Sequence, residues 1–181
     1  MANTTPVRTL AGTGNFAGPP PNTLFDTVVE FLRIHIPEFA ESILLTDIHN
    51  ENGLNSRLSR FITNAADQEI FFADRESMED ENRGDSPAAD IGIYFKVEDC
   101  GIDPPKITVF EGKRLTTKLP ANRRREYVIV HEKDGKRIHC GGIERFKLSI
   151  HAHNLKHAGM IGYIQDGTAD GWREQVNSWI A

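Results

Sequence analysis

Asp90-Ile-Gly-Ile-Tyr-Phe95 and Lys106-Ile-Thr-Val-Phe-Glu-Gly-Lys113, separated by a polar excursion through Asp99 to Pro105, decide how the chain is read. Each is a short apolar run bounded by polar and turn-forming residues, the pattern of a strand. Side chains alternate across a strand, so Ile107, Val109, Glu111 and Lys113 share one face of the second run and Thr108, Phe110 and Gly112 the other. Glu111 and Lys113 therefore project side by side. A carboxylate and an ammonium ending an apolar strand are costly to bury unpaired; they face solvent, pair with each other, or serve a metal and a substrate. Asp90, at the mouth of the preceding strand, is the natural third member.

Working outward, Leu24, Val28 and Leu32 recur at helical spacing from Thr23, and Pro37 is expected to stop that helix before a second short one through Phe39, Ile43 and Leu44. His35 at its margin reads as a packed or surface histidine. Asn55 is a candidate N-cap for a helix carrying Leu58, Phe61, Ile62 and Ala65. Gln68 to Ala73 reads as a strand, and Asp74 to Asp85 as a solvated acidic loop without the alternating ligands of a calcium loop. Glu126 to His131 is expected as a further strand, with a turn at Lys133 to Lys136. Gly141-Gly142 opens a helix with Ile143, Phe146 and Ile150 on one stripe and Arg145 and Lys147 away from its centre. Ala158 to Gln165 follows as a buried strand, and a final helix from about Ala169, capped near Thr168, carries Trp172, Val176, Trp179 and Ile180. Residues 1–22, rich in Gly and Pro, are expected as a disordered or loosely docked arm, and 23–181 as a single domain.

Charge divides sharply along the chain although the net is only -5. Residues 1–105 hold 7 Lys and Arg against 18 Asp and Glu, residues 106–147 hold 12 against 5, and the remainder 2 against 3. The basic block begins at the second strand and includes Arg114, Lys118 and Arg123-Arg124-Arg125; with Arg145 it is the candidate phosphate-binding set. Read alone, such a run is a solvated basic loop. Cys100 and Cys140 are too few and too far apart for a disulfide framework, and no apolar stretch approaches the ~20 residues of a membrane span. A cytoplasmic protein in a reduced compartment is expected.

An Asp on one strand followed by Glu-x-Lys ending the next resembles the active-site motif of the PD-(D/E)XK nuclease superfamily, with Asp90, Glu111 and Lys113 at the matching positions. Ala89 stands in the usual proline slot, and Pro87 lies two residues earlier. The element order helix, strand, strand, strand, helix, strand over about residues 48–165 also resembles that superfamily's core, and Gly141 to Phe146 with Gly159 to Gln165 looks like its bacterial members. The resemblance implies an α/β (α+β) fold with a central mixed sheet flanked by helices, plus extra N- and C-terminal helices. Many members carry a further acidic residue on the helix before the motif strands; Glu51 is the match, and its other reading is a solvated glutamate at a helix start. The implied activity is hydrolysis of phosphodiester bonds, in DNA before RNA. Asp90, Glu111 and Glu51 would hold Mg2+, or Mn2+ in its place, and Lys113 would orient water and stabilise charge. An exposed Glu111–Lys113 pair is worth only ~0.2 to 1 kcal/mol, so removal of Lys113 is expected to be structurally mild. A homodimer is left open.

Three other readings stand beside this one. His139, Cys140, His151, His153 and His157 could suggest zinc, but the paired spacing of a structural site is incomplete, and ordinary polar histidines, one of them against DNA, fit better. A catalytically inactive domain of the same fold would bind nucleic acid with or without metal. A structural or regulatory interaction protein would use Asp90, Glu111 and Lys113 as an ion-pair cluster.

Overall fold

The structure, a computed structural model, describes residues 24–96, 103–120, 127–128, 131–133, 136–138 and 141–180. The arm at 1–22, the Arg123 to Arg125 run, Cys100, His139 and Cys140 lie outside the described residues. In chain order the elements are α1 (Leu24–Leu44), α2 (Glu51–Ala65), β1 (Phe71–Met78), β2 (Ala88–Phe95), β3 (Lys106–Leu115), β4 (His131–Lys133), β5 (Lys136–Ile138), α3 (Gly142–Lys147), β6 (Gly159–Ile164) and α4 (Ala169–Ile180). The fold is α+β.

β1, β2, β3 and β6 form one open mixed sheet in that spatial order; β1, β2 and β3 are antiparallel neighbours, and β6 runs parallel to β3. A parallel neighbour requires a crossover, and α3 lies on it. Ile91 pairs with Phe110, so Ile91, Ile93 and Phe110 share a face with Phe71 and Ala73 of β1. That face is covered by Val28, Phe31 and Leu32 of α1 and by Leu54, Leu58 and Ile62 of α2, which together make the core. At ~1.5 to 3 kcal/mol for each fully buried large side chain, this face is the main reason the elements stay together. The opposite face carries Asp90 and Glu111. Among the described residues no helix is long and apolar enough to cross a membrane.

Several boundaries differ from the expectations. α1 runs through Pro37 without stopping. The apolar stripe continues past it, with Phe39 buried and its ring 5.5 Å from that of Phe61, and this burial offsets the one lost backbone donor. α2 begins earlier: Asn50 is the N-cap, its side chain accepting the Gly53 N–H at 2.8 Å, while Asn55 is buried inside the helix. β1 extends to Met78, into the segment read as an acidic loop. Asp74 and Glu76 are exposed there on the outer strand of the sheet, where charges are common because they discourage pairing with another chain. Of the strand expected over Glu126 to His131, Tyr127 and Val128 lie in a turn and His131 begins β4, which pairs antiparallel with β5, while 126 and 129–130 lie outside the described residues. α3 ends at Lys147, short of Ile150.

Candidate active site

The β2–β3 register builds the site. With Ile91 opposite Phe110, Asp90 falls opposite Glu111 on the same face, beyond the edge of the apolar core. Asp90 Oδ2 accepts the Gly112 N–H at 2.8 Å, so the carboxylate is held by the strand beside it. Glu51, the first residue of α2, comes in from the helix start. Lys113 joins all three carboxylates: its Nζ lies 2.8 Å from Glu51 Oε1, 3.2 Å from Glu111 Oε2 and 3.4 Å from Asp90 Oδ2, and donates to Gly112 O at 3.0 Å. Three carboxylates thus converge within 3.4 Å of one point, drawn from two strands and a helix.

The close approach of α2 to β3 depends on Gly112. A β-carbon there would collide with Asn55 Oδ1, and with Tyr163 Cε2 at 2.9 Å. Asn55 Oδ1 accepts the Tyr163 hydroxyl at 2.7 Å, tying α2 to β6 beneath the cluster. The middle residue of Glu-Gly-Lys is therefore a packing requirement.

Burial sets the electrostatics, and it corrects the expectation of a solvent-exposed pair. Glu111 is 1% exposed and Lys113 9%. Burial raises the Glu111 carboxyl above the ordinary carboxylate range, with Asp90 adding to the rise and Lys113 and Arg145 opposing it. Burial alone would lower Lys113, but the charges of Glu111, Asp90 and Glu51 override it and hold the ammonium above the usual lysine range. Lys113 therefore stays a cation across the neutral range.

Two further groups approach Glu111. His151 Nε2 lies 3.2 Å and Arg145 Nη1 3.8 Å from Glu111 Oε1. The Arg145 approach is a charge contact and the His151 approach a close contact without an aligned bond, since neither Glu111 oxygen has a formed hydrogen bond among the described residues. His151 is buried, and burial first, then Arg145, lowers its imidazole to about 4. It is neutral at pH 7.

No family model, curated protein or solved structure matches the chain.

The candidates are thus distributed as follows. Asp90, Glu111, Lys113 and Glu51 are brought together. Arg114, on β3, donates from Nη1 to His49 O at 3.3 Å, and Lys118 is exposed in the segment after β3. Arg145 turns toward Glu111 and His151. The histidines of the zinc reading diverge: His151 faces Glu111, His153 Nδ1 meets Glu79 Oε2 at 3.1 Å, and His157 stacks on Phe25 at 4.5 Å. His151 and the Asn55–Tyr163 pair were missed as parts of the site. The i, i+4 spacing of His153 and His157 points away from His151, which reaches Glu111 only through the turn after α3.

Whether a divalent cation fits turns on the donor set. Among the described residues no group of three or more His, Cys, Asp or Glu side chains forms a ready metal cage. The three convergent carboxylates focus on the Lys113 ammonium instead. Their chemistry nonetheless suits a hard cation: all donors are carboxylate oxygens, and Glu111 holds two buried oxygens with no hydrogen bond. The cation that Glu111 faces is the Lys113 ammonium, 3.2 Å from Oε2.

Proposed function

We propose that the chain is a metal-dependent nuclease of the restriction-endonuclease-like type, hydrolysing phosphodiester bonds in DNA. One observation carries the reading: Glu51, Asp90 and Glu111 converge on Lys113 Nζ at 2.8 to 3.4 Å, from the two strands and the preceding helix on which the motif resemblance relies. The order α2, β1, β2, β3, α3, β6 with β6 parallel to β3 supports it as well.

Each residue then has a definite task. Glu51, Asp90 and Glu111 would hold Mg2+ or Mn2+, which when bound lowers the pKa of a water and offsets charge on the scissile phosphate. Lys113, kept protonated by its carboxylates, does not take the proton from the attacking water; it orients that water and donates to the oxygen on which negative charge grows. Arg114 and Lys118, with the Arg123 to Arg125 run, hold the backbone phosphates on either side.

A second reading is favoured by one fact: Lys113 Nζ already lies within 3.4 Å of all three carboxylates and donates to Gly112 O without any ligand. On that reading the cluster is a structural ion-pair knot. Incubation of mixed DNA and RNA substrates with Mg2+, Mn2+ or EDTA separates the two. The nuclease reading requires metal-dependent cleavage lost on EDTA; a chain that binds DNA equally well in Mg2+ and EDTA and never cuts it is an inactive binder, and one that does neither holds a structural cluster.

A further inference from the structure

The turn after α3 is bent against the preferences of its residues. Ser149 and Ala152 both sit at positive φ, 54° and 61°, where a β-carbon crowds the backbone at a cost of ~1 kcal/mol or more each. Between them His151 is turned inward and only 3% exposed. The bend is clamped from outside, since Glu79 accepts the Ala152 N–H on Oε1 at 2.7 Å and holds His153 Nδ1 on Oε2 at 3.1 Å. Phe146 presents its ring to the imidazole in a T-shaped contact at 6.2 Å.

Simple packing does not call for an imidazole here. Its Nδ1 is buried with no hydrogen bond among the described residues, and its Nε2 lies between Glu111 Oε1 at 3.2 Å and Arg145 Nη1 at 3.3 Å. Strained backbone persists only where its surroundings over-determine it, and it gathers at functional sites. The strain, the clamp and the buried imidazole all lead to one carboxylate, whose Oε2 faces the Lys113 ammonium at 3.2 Å and whose Oε1 has no aligned donor.

Resting on the nuclease reading, we propose that His151 is a positioning residue for Glu111. With the proton on Nε2, a small ring rotation that gives up the Arg145 Nη1 hydrogen bond, which needs an unprotonated Nε2, lets Nε2–H donate to Oε1 and fixes the carboxylate so that Oε2 stays toward Lys113, where Asp90 and Glu51 also converge. Arg145, 3.8 Å from Oε1, adds charge on the same side. Donors to a ligating carboxylate commonly change metal affinity 10- to 100-fold when removed.

The test is Mn2+ binding by isothermal titration calorimetry, without nucleic acid, on wild type, Glu111→Ala, His151→Gln and His151→Met. Gln and Met have similar volumes, and only Gln donates a hydrogen bond, so a packing role affects both alike. His151→Met is expected to bind Mn2+ about 10- to 100-fold more weakly and His151→Gln within about 3-fold of wild type. If wild type binds Mn2+, Glu111→Ala does not, and the Met variant binds as tightly as the Gln variant, His151 does not position Glu111, while the metal reading survives. If wild type binds no more Mn2+ than Glu111→Ala, the metal reading falls and the role of His151 falls with it.

Discussion

Removing Lys113 tests the burial of the cluster, and it reverses the mild outcome expected from the sequence. In Lys113→Ala three carboxylates lose the ammonium lying 2.8 to 3.4 Å from them. At an effective dielectric of ~20, one contact at such a distance is worth ~5 kcal/mol before desolvation. Glu51 and Asp90 side chains keep 29% and 23% of their exposure, so solvent screens their share; Glu111, at 1%, has no such relief. Breaking a buried pair by removing one partner costs ~3 to 5 kcal/mol, and partial screening puts this site near the lower end. For a chain of 181 residues ~3 kcal/mol lowers Tm by ~6 to 12 °C. The deficit shrinks toward acid pH, where the already raised Glu111 carboxyl takes up a proton and removes part of the repulsion. Millimolar Mn2+ restores part of the lost Tm by binding the freed carboxylates. Scanning calorimetry at pH 5 and pH 8, with and without Mn2+, reads all three effects. A Tm within 2 °C of wild type at pH 8 would mean that the cluster is solvated and that Lys113 does not offset a buried charge.

Gly112→Ala drives a methyl group into Asn55 and Tyr163 and is expected to cost ~1 to 3 kcal/mol in urea unfolding; in an Asn55→Ala background the penalty shrinks, and strict additivity would contradict the contact. The unfolded chain binds more protons than the folded one between about 4, the folded value of His151, and its ordinary 6.5, so stability from this group is present above 6.5 and lost as pH falls through that window, by at most ~3 kcal/mol. Glu111 acts in the opposite sense above its ordinary 4.5, so the comparison is with His151→Gln, whose unfolding free energy should rise less steeply between pH 4 and 6.5; parallel profiles would remove His151 from the account. Arg124→Ala with Arg125→Ala should weaken DNA binding and lower the slope of log K against log salt by ~0.9 for each phosphate that the two arginines neutralise, while an unchanged slope assigns the run to solvation.

Legibility in the sequence followed the strength of local patterns. The strands carrying Asp90, Glu111 and Lys113 are apolar, short and bounded by breakers, and alternation alone placed Glu111 beside Lys113. The convergence of Asp90 with Glu111 also follows once the two strands pair. Burial of the pair was not legible, because the groups around it come from distant parts of the chain, Arg145 and His151 beside Glu111 and Glu51 beside Lys113. Two asparagines near one helix start, Asn50 and Asn55, have equal capping chemistry; the winner is set by Glu51 beginning the helix and by Gly112 leaving room for Asn55 against β3. Pro37 misled because its local penalty is outweighed by the long apolar stripe of α1. The acidic half of β1 looked like a loop because charge is tolerated on an edge strand, where only one side is paired.

Hydrolysis at this cluster is read by single-turnover cleavage of DNA in Mg2+, with wild type beside Glu111→Ala and each variant checked for folding by circular dichroism. Wild type is expected to cleave in a reaction that EDTA abolishes, and Glu111→Ala to cleave at least ~100-fold more slowly at saturating DNA. Cleavage at the wild-type rate by a folded Glu111→Ala, or none by wild type in either Mg2+ or Mn2+, would contradict hydrolysis at this cluster.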